Sequence, residues 1–335
     1  MKILFIITGI GLGHAIRDEL IIKKLNCSVR IGTYQDAYKY FQNYDVFKLP
    51  HLRLPKSGFG LSVLKVVASN IFAPFIVLRL KKRLRKEIKE FNPDIIVSDS
   101  ELLVPSIVKK LGKKVVGIHN HNINDLEKVK KYNYQKKYVY RLIKDYEKNC
   151  DLVIIPDLLH KEVKNNIHYI NPIVKESRKI IKNDSILIMI GGSYFGHFFI
   201  KRIIPFLKKQ KEKFIIFGYK DFKEGNITSY SFNEFVPYLR GCRGLITLAG
   251  YSTLSEALYY KKPSLVFSIP NHIEQYVNVS KVSEIFSVDV NSKNIEENIS
   301  KFLKNVSSKN EKIKKLKIKN GLNEAVRLIK NETKS

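Results

Sequence analysis

A group of small and polar residues follows a short apolar strand in the second half of the chain, and its members suit a nucleotide diphosphate. The strand, 245–248, is followed by Ala249 and Gly250. Ser252 and Thr253 then precede a run with helical spacing, which is the pattern of an N-cap. Hydroxyl and backbone N–H groups at the start of a helix favour a phosphate. Glu256 follows one helical turn later, where its carboxylate can accept hydrogen bonds from a ribose. The pattern therefore predicts that a phosphorylated nucleoside binds here.

The next apolar strand, 264–267, is followed by a polar loop that contains Glu274 and Gln275. In an open α/β sheet, the loops after the carboxyl ends of the strands hold the ligand. Glu274 and Gln275 are therefore expected to bind the hydroxyl groups of a second polar ring. The alternative is an ordinary β-α-β unit whose polar loops bind no ligand.

The first strand, 2–8, leads into a glycine-rich loop that ends in a histidine. Gly11 and Gly13 in this loop allow the backbone to approach a ligand closely, and a helix is predicted to follow. A dinucleotide-binding fingerprint would need another glycine at the position of His14 and an acidic residue about 20 positions later. The second strand leads only to Asp36, so the loop fits an NAD site poorly.

These motifs resemble those of GT-B glycosyltransferases, and the donor-site stretch looks closest to the peptidoglycan lipid-intermediate N-acetylglucosaminyltransferases, the MurG-like type. In that family a Gly-x-Ser/Thr loop contacts the diphosphate, a glutamate contacts the ribose, and an acidic residue with a glutamine contacts the donor sugar. The matching residues of this chain are Gly250, Ser252, Thr253, Glu256, Glu274 and Gln275.

The resemblance implies two further donor contacts. A glycine-rich loop of the family touches the diphosphate, and it corresponds to 191–196 here, with Gly192 and Ser193 as the candidates. This loop has one extra residue before its last glycine, which departs from the family pattern. The backbone just before the donor loop recognises the base in the family, which points to Phe235 and Val236.

The resemblance also gives His14 a role, because the first loop of GT-B transferases ends in a histidine that is the candidate base of the acceptor site. Imidazole has an ordinary pKa near about 6.5, so its neutral form suits removal of a proton from a sugar hydroxyl. Asp99 follows the strand 95–97 and is expected to orient His14, with Glu101 as the competing carboxylate. A local hydrogen bond at a helix start is the alternative role for His14.

The fold implied by the resemblance is α/β, with two Rossmann-like domains whose parallel sheets face a central cleft. The N-terminal acceptor domain is predicted at 1–156, a linker at 157–172 and the C-terminal donor domain at 173–308. A C-terminal helical segment, 309–335, is expected to pack back on the first domain.

Composition agrees with a two-domain globular protein. The chain has 335 residues, 44% hydrophobic and 27% charged, which is enough to build two cores. Its three widely spaced cysteines fit a reducing compartment and predict no disulfide framework. The N-terminal apolar run passes into a glycine loop rather than a cleavage site, so it is interpreted as a strand and not as a signal peptide. We therefore expect a cytoplasmic protein.

The formal net charge of +29 is large, and the basic residues are spread over both halves of the chain. Such a charge favours anionic partners, namely phosphorylated substrates, phospholipid surfaces or nucleic acid. A lysine-rich solvated surface without a dedicated anionic partner explains the same charge equally well.

Residues 59–89 are the part of the first half that least resembles a Rossmann-like domain. An apolar stretch interrupted by Lys65, Asn70 and Pro74 is followed by a cluster of arginines and lysines. It is too interrupted to span a bilayer, which needs about 20 largely apolar residues. Apolar residues beside cations suit a helix on an anionic membrane, and the resembled family carries such a patch. A core helix with a solvated basic end is the equal alternative; the first option places the protein peripherally on the inner face of the cell membrane.

The chain has no Asp-x-Asp motif of the kind that holds a divalent cation in glycosyltransferases of the other major fold. We therefore expect no metal and no cofactor, with the leaving-group charge met by helix N-termini and loop N–H groups. The predicted reaction moves a hexose or N-acetylhexosamine from a nucleotide diphosphate sugar, with UDP the expected nucleotide, to a hydroxyl of a glycan or lipid-linked acceptor.

Two other functions remain open from the sequence. A UDP-N-acetylglucosamine epimerase can share this architecture and needs no acceptor. A non-catalytic binder of nucleic acid or anionic surfaces would use the charge alone, although the motifs disfavour nucleic acid as a partner.

Overall fold

The computed structural model describes residues 1–52, 65, 68–121, 123–127, 133–159, 163–191, 194–231, 234–290, 292–306 and 311–334. The chain forms two compact units. The first contains the described residues up to Ile173 together with the C-terminal segment from Asn320, and the second runs from Val174 to Lys319. Within the described residues, no helix is long and apolar enough to cross a membrane.

The first unit is built on an eight-stranded sheet in the order β3-β2-β1-β4-β5-β6-β8-β7. All neighbouring strands are parallel except β7 and β8. Its strands are β1 (Lys2–Ile7), β2 (Ser28–Thr33), β3 (Val46–Lys48), β4 (Ile95–Asp99), β5 (Val115–Ile118), β6 (Leu152–Pro156), β7 (Val163–Lys164) and β8 (Ile167–Ile170). Its helices are α1 (Gly13–Leu25), α2 (Gln35–Tyr40), α3 (Ala73–Phe91), α4 (Val104–Lys109), α5 (Ile123–Glu127) and α6 (Asn133–Asn149), followed at the C-terminal end of the chain by α13 (Leu322–Glu332).

The second unit has a seven-stranded sheet in the order β11-β12-β10-β9-β13-β14-β15, parallel except for β11 and β12. Its strands are β9 (Ser185–Met189), β10 (Lys213–Phe217), β11 (Phe222–Glu224), β12 (Ile227–Tyr230), β13 (Gly244–Leu248), β14 (Ser264–Phe267) and β15 (Ser287–Asp289). Its helices are α7 (Tyr194–Leu207), α8 (Phe235–Gly241), α9 (Tyr251–Tyr259), α10 (Ile273–Val282), α11 (Ile295–Asn305) and α12 (Glu311–Lys315). The predicted α/β class with two largely parallel sheets is thus confirmed.

The central strands are continuous apolar runs because both faces of each sheet are covered by helices. Alternate residues of β1 enter two different cores. Phe5 and Ile7 pack with α1 and α13, whereas Leu4 and Ile6 pack on the other face with α3, α4 and α6. Because β1 runs parallel to β2 and β4, the loop after it opens at the carboxyl edge of the sheet together with the ends of those strands.

The C-terminal helix α13 belongs to the core of the first unit. Ala325, Val326, Leu328 and Ile329 are buried in the cluster that also contains Ile21 of α1. The segment predicted as a linker, 157–172, differs from that expectation, because β8 within it pairs in parallel with β6. Both residues of β7 are exposed and three of the four residues of β8 are half-buried, so no buried apolar run marked these strands in the sequence. They form because β8 pairs with β6 and β7 pairs with β8.

Helix α3 is amphipathic over most of its length. Leu80, Leu84, Ile88 and Phe91 are buried against the sheet. Around its N-terminus, Phe72, Phe75 and Leu78 are 67%, 62% and 59% exposed. The C-terminal part of this segment is therefore a core helix, while its beginning carries large apolar side chains on the surface. Residues 53–64, 66 and 67 of the segment singled out in the sequence lie outside the described residues.

Candidate active site

The loop after β1 and the end of β4 meet at the carboxyl edge of the first sheet. Ile7 is in register with Asp99 across the parallel pair β1–β4, and the Thr8 amide donates to the Asp99 carbonyl over 3.1 Å. Gly9 makes the turn possible, because a Cβ there would lie 1.9 Å from the carbonyl oxygen of Tyr34. Gly11 has a φ of +72°, which only glycine adopts without strain. The loop thus delivers the start of α1 to the end of β4.

His14 is the second residue of α1, and its Nδ1 atom lies 2.9 Å from Oδ1 of Asp99. The Asp99 side chain is fully buried, whereas the His14 side chain remains 17% exposed. The structure therefore brings together the two residues that the sequence analysis paired, a buried carboxylate and an accessible imidazole. Gly13 begins the helix that carries His14.

A buried arginine completes this cluster. Arg17 lies on the same face of α1, three residues after His14, and is 4% exposed. Its Nη2 atom lies 2.7 Å from each carboxylate oxygen of Asp99, its Nε lies 3.2 Å from Oδ2, and its Nη1 donates to Asn120 Oδ1 over 2.5 Å. Asn120 follows β5, the strand next to β4. One guanidinium thereby connects the start of α1, the end of β4 and the loop after β5.

Two contacts bear on the tautomer of His14. Its Nδ1 atom lies 2.9 Å from Asp99 Oδ1 and 3.1 Å from Arg17 Nη2, and a guanidinium has only donors. A proton on Nδ1 is donated to Asp99 and leaves Nε2 as the acceptor, whereas Nδ1 without a proton accepts from Arg17.

The neighbouring carboxyl groups of Asp99 and Asp18 have pKa values shifted in opposite directions. Burial alone would raise the pKa of Asp99, but the charge of Arg17 and the contact with His14 hold it well below its ordinary range. Burial, and then the charge of Asp99, raises the pKa of Asp18 well above its ordinary value. Asp18 is fully buried on α1, and interaction with the Asp99 carboxylate adds to the effect of burial. Asp99 is thus the anion of the pair and Asp18 the neutral acid.

Glu101, the competing carboxylate, has different partners. Tyr34 donates from its hydroxyl to Glu101 Oε1 over 2.7 Å, and the same hydroxyl lies 2.9 Å from Thr8 Oγ1. Burial raises the pKa of Glu101 to about 7, against the lowering effect of these two hydroxyls. The structure therefore assigns Asp99, not Glu101, to the hydrogen bond with His14.

In the second unit, β13 ends at Leu248 and α9 begins at Tyr251, with Gly250 as its N-cap residue. The N-cap prediction for Ser252 and Thr253 was wrong: both lie in the first turn of the helix, and the cap makes no side-chain hydrogen bond. A glycine with extended backbone geometry is itself an accepted N-cap, so no hydroxyl is needed there. Ser252 and Thr253 are instead the second and third residues of α9.

Glu256 lies one turn further along α9. Burial raises its pKa to about 8, and the nearby ammonium group of Lys175 acts in the opposite direction. Lys175 is exposed and belongs to a segment that is fastened to α9, because Tyr259 donates to Glu176 Oε1 over 2.7 Å. A half-buried carboxyl group thus stands close to the strand-to-helix turn that begins at Gly250.

Side chains of helix α10 hold the loops that follow β13 and β14. Asn278 donates from Nδ2 to the Ala249 carbonyl over 2.9 Å. Gln275 accepts the Ile269 amide proton at its Oε1 over 2.8 Å, so its side-chain oxygen braces the loop after β14. Glu274 lies in the first turn of α10.

The remaining candidates divide into two groups. Phe235 and Val236 are buried at the start of α8, where Phe235 packs edge-on against Phe217 with ring centroids 5.3 Å apart. Gly192 and Ser193 lie outside the described residues.

The sequence as a whole matches the model of glycosyl transferase family 1 over residues 1–307. The chain belongs to this family. Its relatives include an uncharacterized glycosyltransferase of Methanosarcina mazei, 28% identical over 326 residues, and one of Methanosarcina acetivorans, 24% identical over 320 residues. Each alignment covers 85% of this chain and 84% of the relative. Glycosyl transfer is therefore the activity class of this protein.

Solved structures agree in fold. MurG from Acinetobacter baumannii has a TM-score of 0.63 at 15% identity and covers 99% of this chain and 100% of its own. A UDP-glucosyltransferase from Polygonum tinctorium has a TM-score of 0.69 at 12% identity and covers 100% of this chain and 98% of its own. The GT-B fold and the resemblance to MurG-like proteins are confirmed.

Sequence reasoning missed three residues of this glycosyltransferase that interact with His14, Asp99 or Glu101. They are Arg17, Asp18 and Tyr34. The available signal was helical spacing. His14, Arg17 and Asp18 are separated by three and four positions, which places them on one face of a helix. That face also had to be buried for α1 to cover the sheet, so charged residues on it mark a polar cluster rather than a solvated surface.

Proposed function

We propose that this family member transfers a hexose or N-acetylhexosamine from a UDP-sugar to an acceptor hydroxyl, with His14 as the general base and without a metal ion. The hydrogen bond of 2.9 Å between His14 and the buried Asp99 carries the proposal. A partly exposed imidazole that is held by an anion has the geometry of a base for a hydroxyl group.

The chain's own residues account for the proton transfer. Asp99 holds the proton on Nδ1, so Nε2 of His14 takes the proton from the acceptor hydroxyl. The acceptor oxygen then attacks the anomeric carbon, and the bond from that carbon to the oxygen of the β-phosphate breaks. Asp99 stabilises the imidazolium that forms, and the nucleotide leaves as UDP.

The second unit supplies the groups that suit the donor. The first N–H groups of an α-helix have no carbonyl partner within the helix and carry a partial positive charge. At the start of α9 they are joined by the hydroxyls of Ser252 and Thr253, which supports binding of the diphosphate after Gly250. This is also where the negative charge of the leaving group develops, so the helix start replaces a metal ion in the proposal.

Three other contacts complete the proposed donor site. Glu256 binds the ribose, Glu274 binds the sugar through its carboxylate, and the backbone at Phe235 and Val236 recognises the base. Gln275 binds the sugar through its side-chain nitrogen, because its side-chain oxygen already accepts the backbone amide proton of Ile269. The similarity to a UDP-glucosyltransferase supports UDP as the nucleotide.

The acceptor in this proposal is lipid-linked. Exposed Phe72, Phe75 and Leu78 lie at the beginning of α3, which also carries exposed arginines and lysines, and this combination suits the surface of an anionic bilayer. The protein is then cytoplasmic and docks on the inner face of the cell membrane, where a lipid-linked glycan presents its hydroxyl group.

A ligand panel followed by a product assay tests the function. UDP and UDP-sugars should raise the melting temperature, whereas GDP and dTDP should raise it less, since a ligand of the folded state increases apparent stability. UDP should then be released from the matching UDP-sugar only when an acceptor extract is present. Conversion of UDP-N-acetylglucosamine to an epimer without acceptor would identify an epimerase instead. Salt-sensitive binding of nucleic acid with no nucleotide response would identify a non-catalytic binder.

A further inference from the structure

We propose that Arg17 is a positioning residue for the same reaction: its guanidinium holds Asp99 in place, and its charge opposes protonation of His14. The inference rests on the proposed role of His14. It concerns a residue that contacts no reacting atom and acts through Asp99.

The contacts of Arg17 carry the first step. Nη2 reaches both carboxylate oxygens of Asp99 at 2.7 Å and Nε reaches Oδ2 at 3.2 Å, so the carboxylate is gripped at both oxygens. Nη1 is anchored on Asn120 at 2.5 Å. Because Arg17 and Asp99 are both buried, these bonds are not exchanged with water. The carboxylate plane, and with it the direction of Oδ1 toward His14, is therefore fixed by Arg17.

Charge carries the second step. Asp99 receives hydrogen bonds from both His14 and Arg17, but it has only one negative charge. A permanently charged guanidinium already compensates that charge, so protonation of His14 would place a second cation beside one anion. Like charges at this distance disfavour the ionised form of a base. The charge of Arg17 therefore opposes protonation of His14.

The other titratable groups around the pair do not replace this effect. Asp18 on α1 is held neutral by burial and by the charge of Asp99. Tyr146 on α6 is buried, donates to the Ser98 carbonyl, and has its pKa raised well above the ordinary value by burial. Glu101, after β4, interacts with both His14 and Asp99, and burial raises its pKa to about 7. Among these described groups, Arg17 is thus the one with a permanent charge. The experiment must therefore distinguish the effect of Arg17 from the titration of Glu101.

The test follows the ring protons of His14 by NMR across pH in the full-length protein. The His14 signal is identified among the 8 histidines by its loss in His14→Ala. Arg17→Gln removes the charge and should move the titration midpoint of His14 up by about one to two pH units. The acid limb of kcat/KM should move in the same direction. Arg17→Lys keeps the charge but loses the planar fork, so its midpoint should stay near wild type while kcat falls several-fold.

Two controls isolate the effect. Arg30→Gln removes another arginine of the first unit that is paired with carboxylates, Asp45 and Glu87, and should leave the His14 midpoint unchanged. The pH dependence of kcat/KM in Glu101→Gln, measured alone, shows how much of the wild-type pH dependence comes from Glu101. A midpoint in Arg17→Gln that equals wild type, or that moves with Arg30→Gln by the same amount, overturns the proposal.

A second comparison covers the case in which Arg17→Gln does not fold, because it leaves the buried Asp99 carboxylate without its cation. The double variant Arg17→Gln/Asp99→Asn removes both charges. Its His14 midpoint should lie about one pH unit above that of Asp99→Asn alone, where the charge of Arg17 faces His14 uncompensated. Equal midpoints would overturn the proposal. Since the titration needs no turnover, a shifted midpoint together with an active His14→Ala variant would refute the proposed role of His14 in the reaction and leave only the effect of Arg17 on the protonation of His14.

Discussion

His14 Nδ1 lies 2.9 Å from Asp99 Oδ1, although 85 positions separate the two residues in the chain. The contact exists because β1 and β4 are neighbours in the sheet, with Ile7 opposite Asp99. The loop after β1 and the end of β4 then open at the same edge. An accessible imidazole and a buried carboxylate are thereby held together by two adjacent parallel strands of the first unit.

The first prediction concerns the base. His14→Ala should lower kcat by about 10²–10⁴ while leaving the KM for the donor nearly unchanged, as expected when a general base is lost. Initial rates of UDP release at saturating acceptor measure this. His168→Ala, on β8, is the matched control and should retain wild-type kcat. If His14→Ala keeps its rate, the base lies elsewhere, and Glu101→Gln becomes the next variant.

The second prediction concerns the donor. Glu256→Ala should weaken UDP binding by about 1–3 kcal/mol, since the ribose hydroxyls lose a carboxyl partner. Isothermal titration calorimetry with UDP measures the change. Glu296→Ala removes an exposed glutamate of the same unit, on α11, and should bind as wild type does. Equal affinity of both variants would place Glu256 outside the nucleotide site.

The third prediction concerns stability and pH. Below about pH 4 Asp18 is protonated in both the folded and unfolded protein, so Asp18→Asn should change little. As the pH rises, the unfolded chain ionises at Asp18 while the folded protein keeps it neutral, because burial and Asp99 raise its pKa. The free energy of unfolding of the wild type therefore falls relative to that of the variant.

By pH 7 Asp18→Asn should therefore be more stable than the wild type, because the buried Asp18 carboxyl resists ionisation in the folded protein. Denaturant titrations at pH 4 and pH 7 measure the difference. Asp145→Asn, at an exposed aspartate of the same unit, should show no such growth with pH. A variant that is less stable at pH 7 would mean that Asp18 is ionised and paired in the folded protein.

The fourth prediction concerns the membrane. Replacing Arg79, Lys81, Lys82 and Arg85 by glutamine should release the protein from anionic vesicles, since each cation near such a surface contributes about 1 kcal/mol. All four are exposed. Arg83 is left intact because it pairs with Glu87 and therefore supports the helix. Co-sedimentation with phosphatidylserine vesicles measures binding.

The matched control has the same loss of charge elsewhere, through glutamine at the exposed Lys293, Lys312, Lys315 and Lys317 of the second unit. It should stay bound, and both variants should keep the UDP affinity of the wild type. Raising the salt concentration should weaken wild-type binding, because exposed charges are screened beyond about 10 Å at 0.1 M. Wild type that ignores anionic vesicles at low salt would refute membrane docking and favour a soluble acceptor.

Much of the fold was determined by local patterns. Continuous apolar runs such as Lys2–Ile7 and Ile95–Asp99 indicate strands that are buried on both faces, and this follows from side-chain alternation within a few residues. Glycines after β1 and β13 and the polar residues that follow them indicated where a ligand would bind. The family likewise followed from the order of these motifs along the chain.

Only the tertiary structure decided which side chains meet. Asp99 and Glu101 are two positions apart and equally plausible as partners of His14 in the sequence; the register of β1 with β4 turns Asp99 to His14 and leaves Glu101 to Tyr34. The same holds for Gln275, whose oxygen braces its own loop. Hydrogen-bond partners depend on differences of an ångström between strands distant in sequence, and no local periodicity encodes such distances. Burial is likewise a property of the packed sheet, which is why the buried charge of Arg17 and the neutral acid of Asp18 emerged only there.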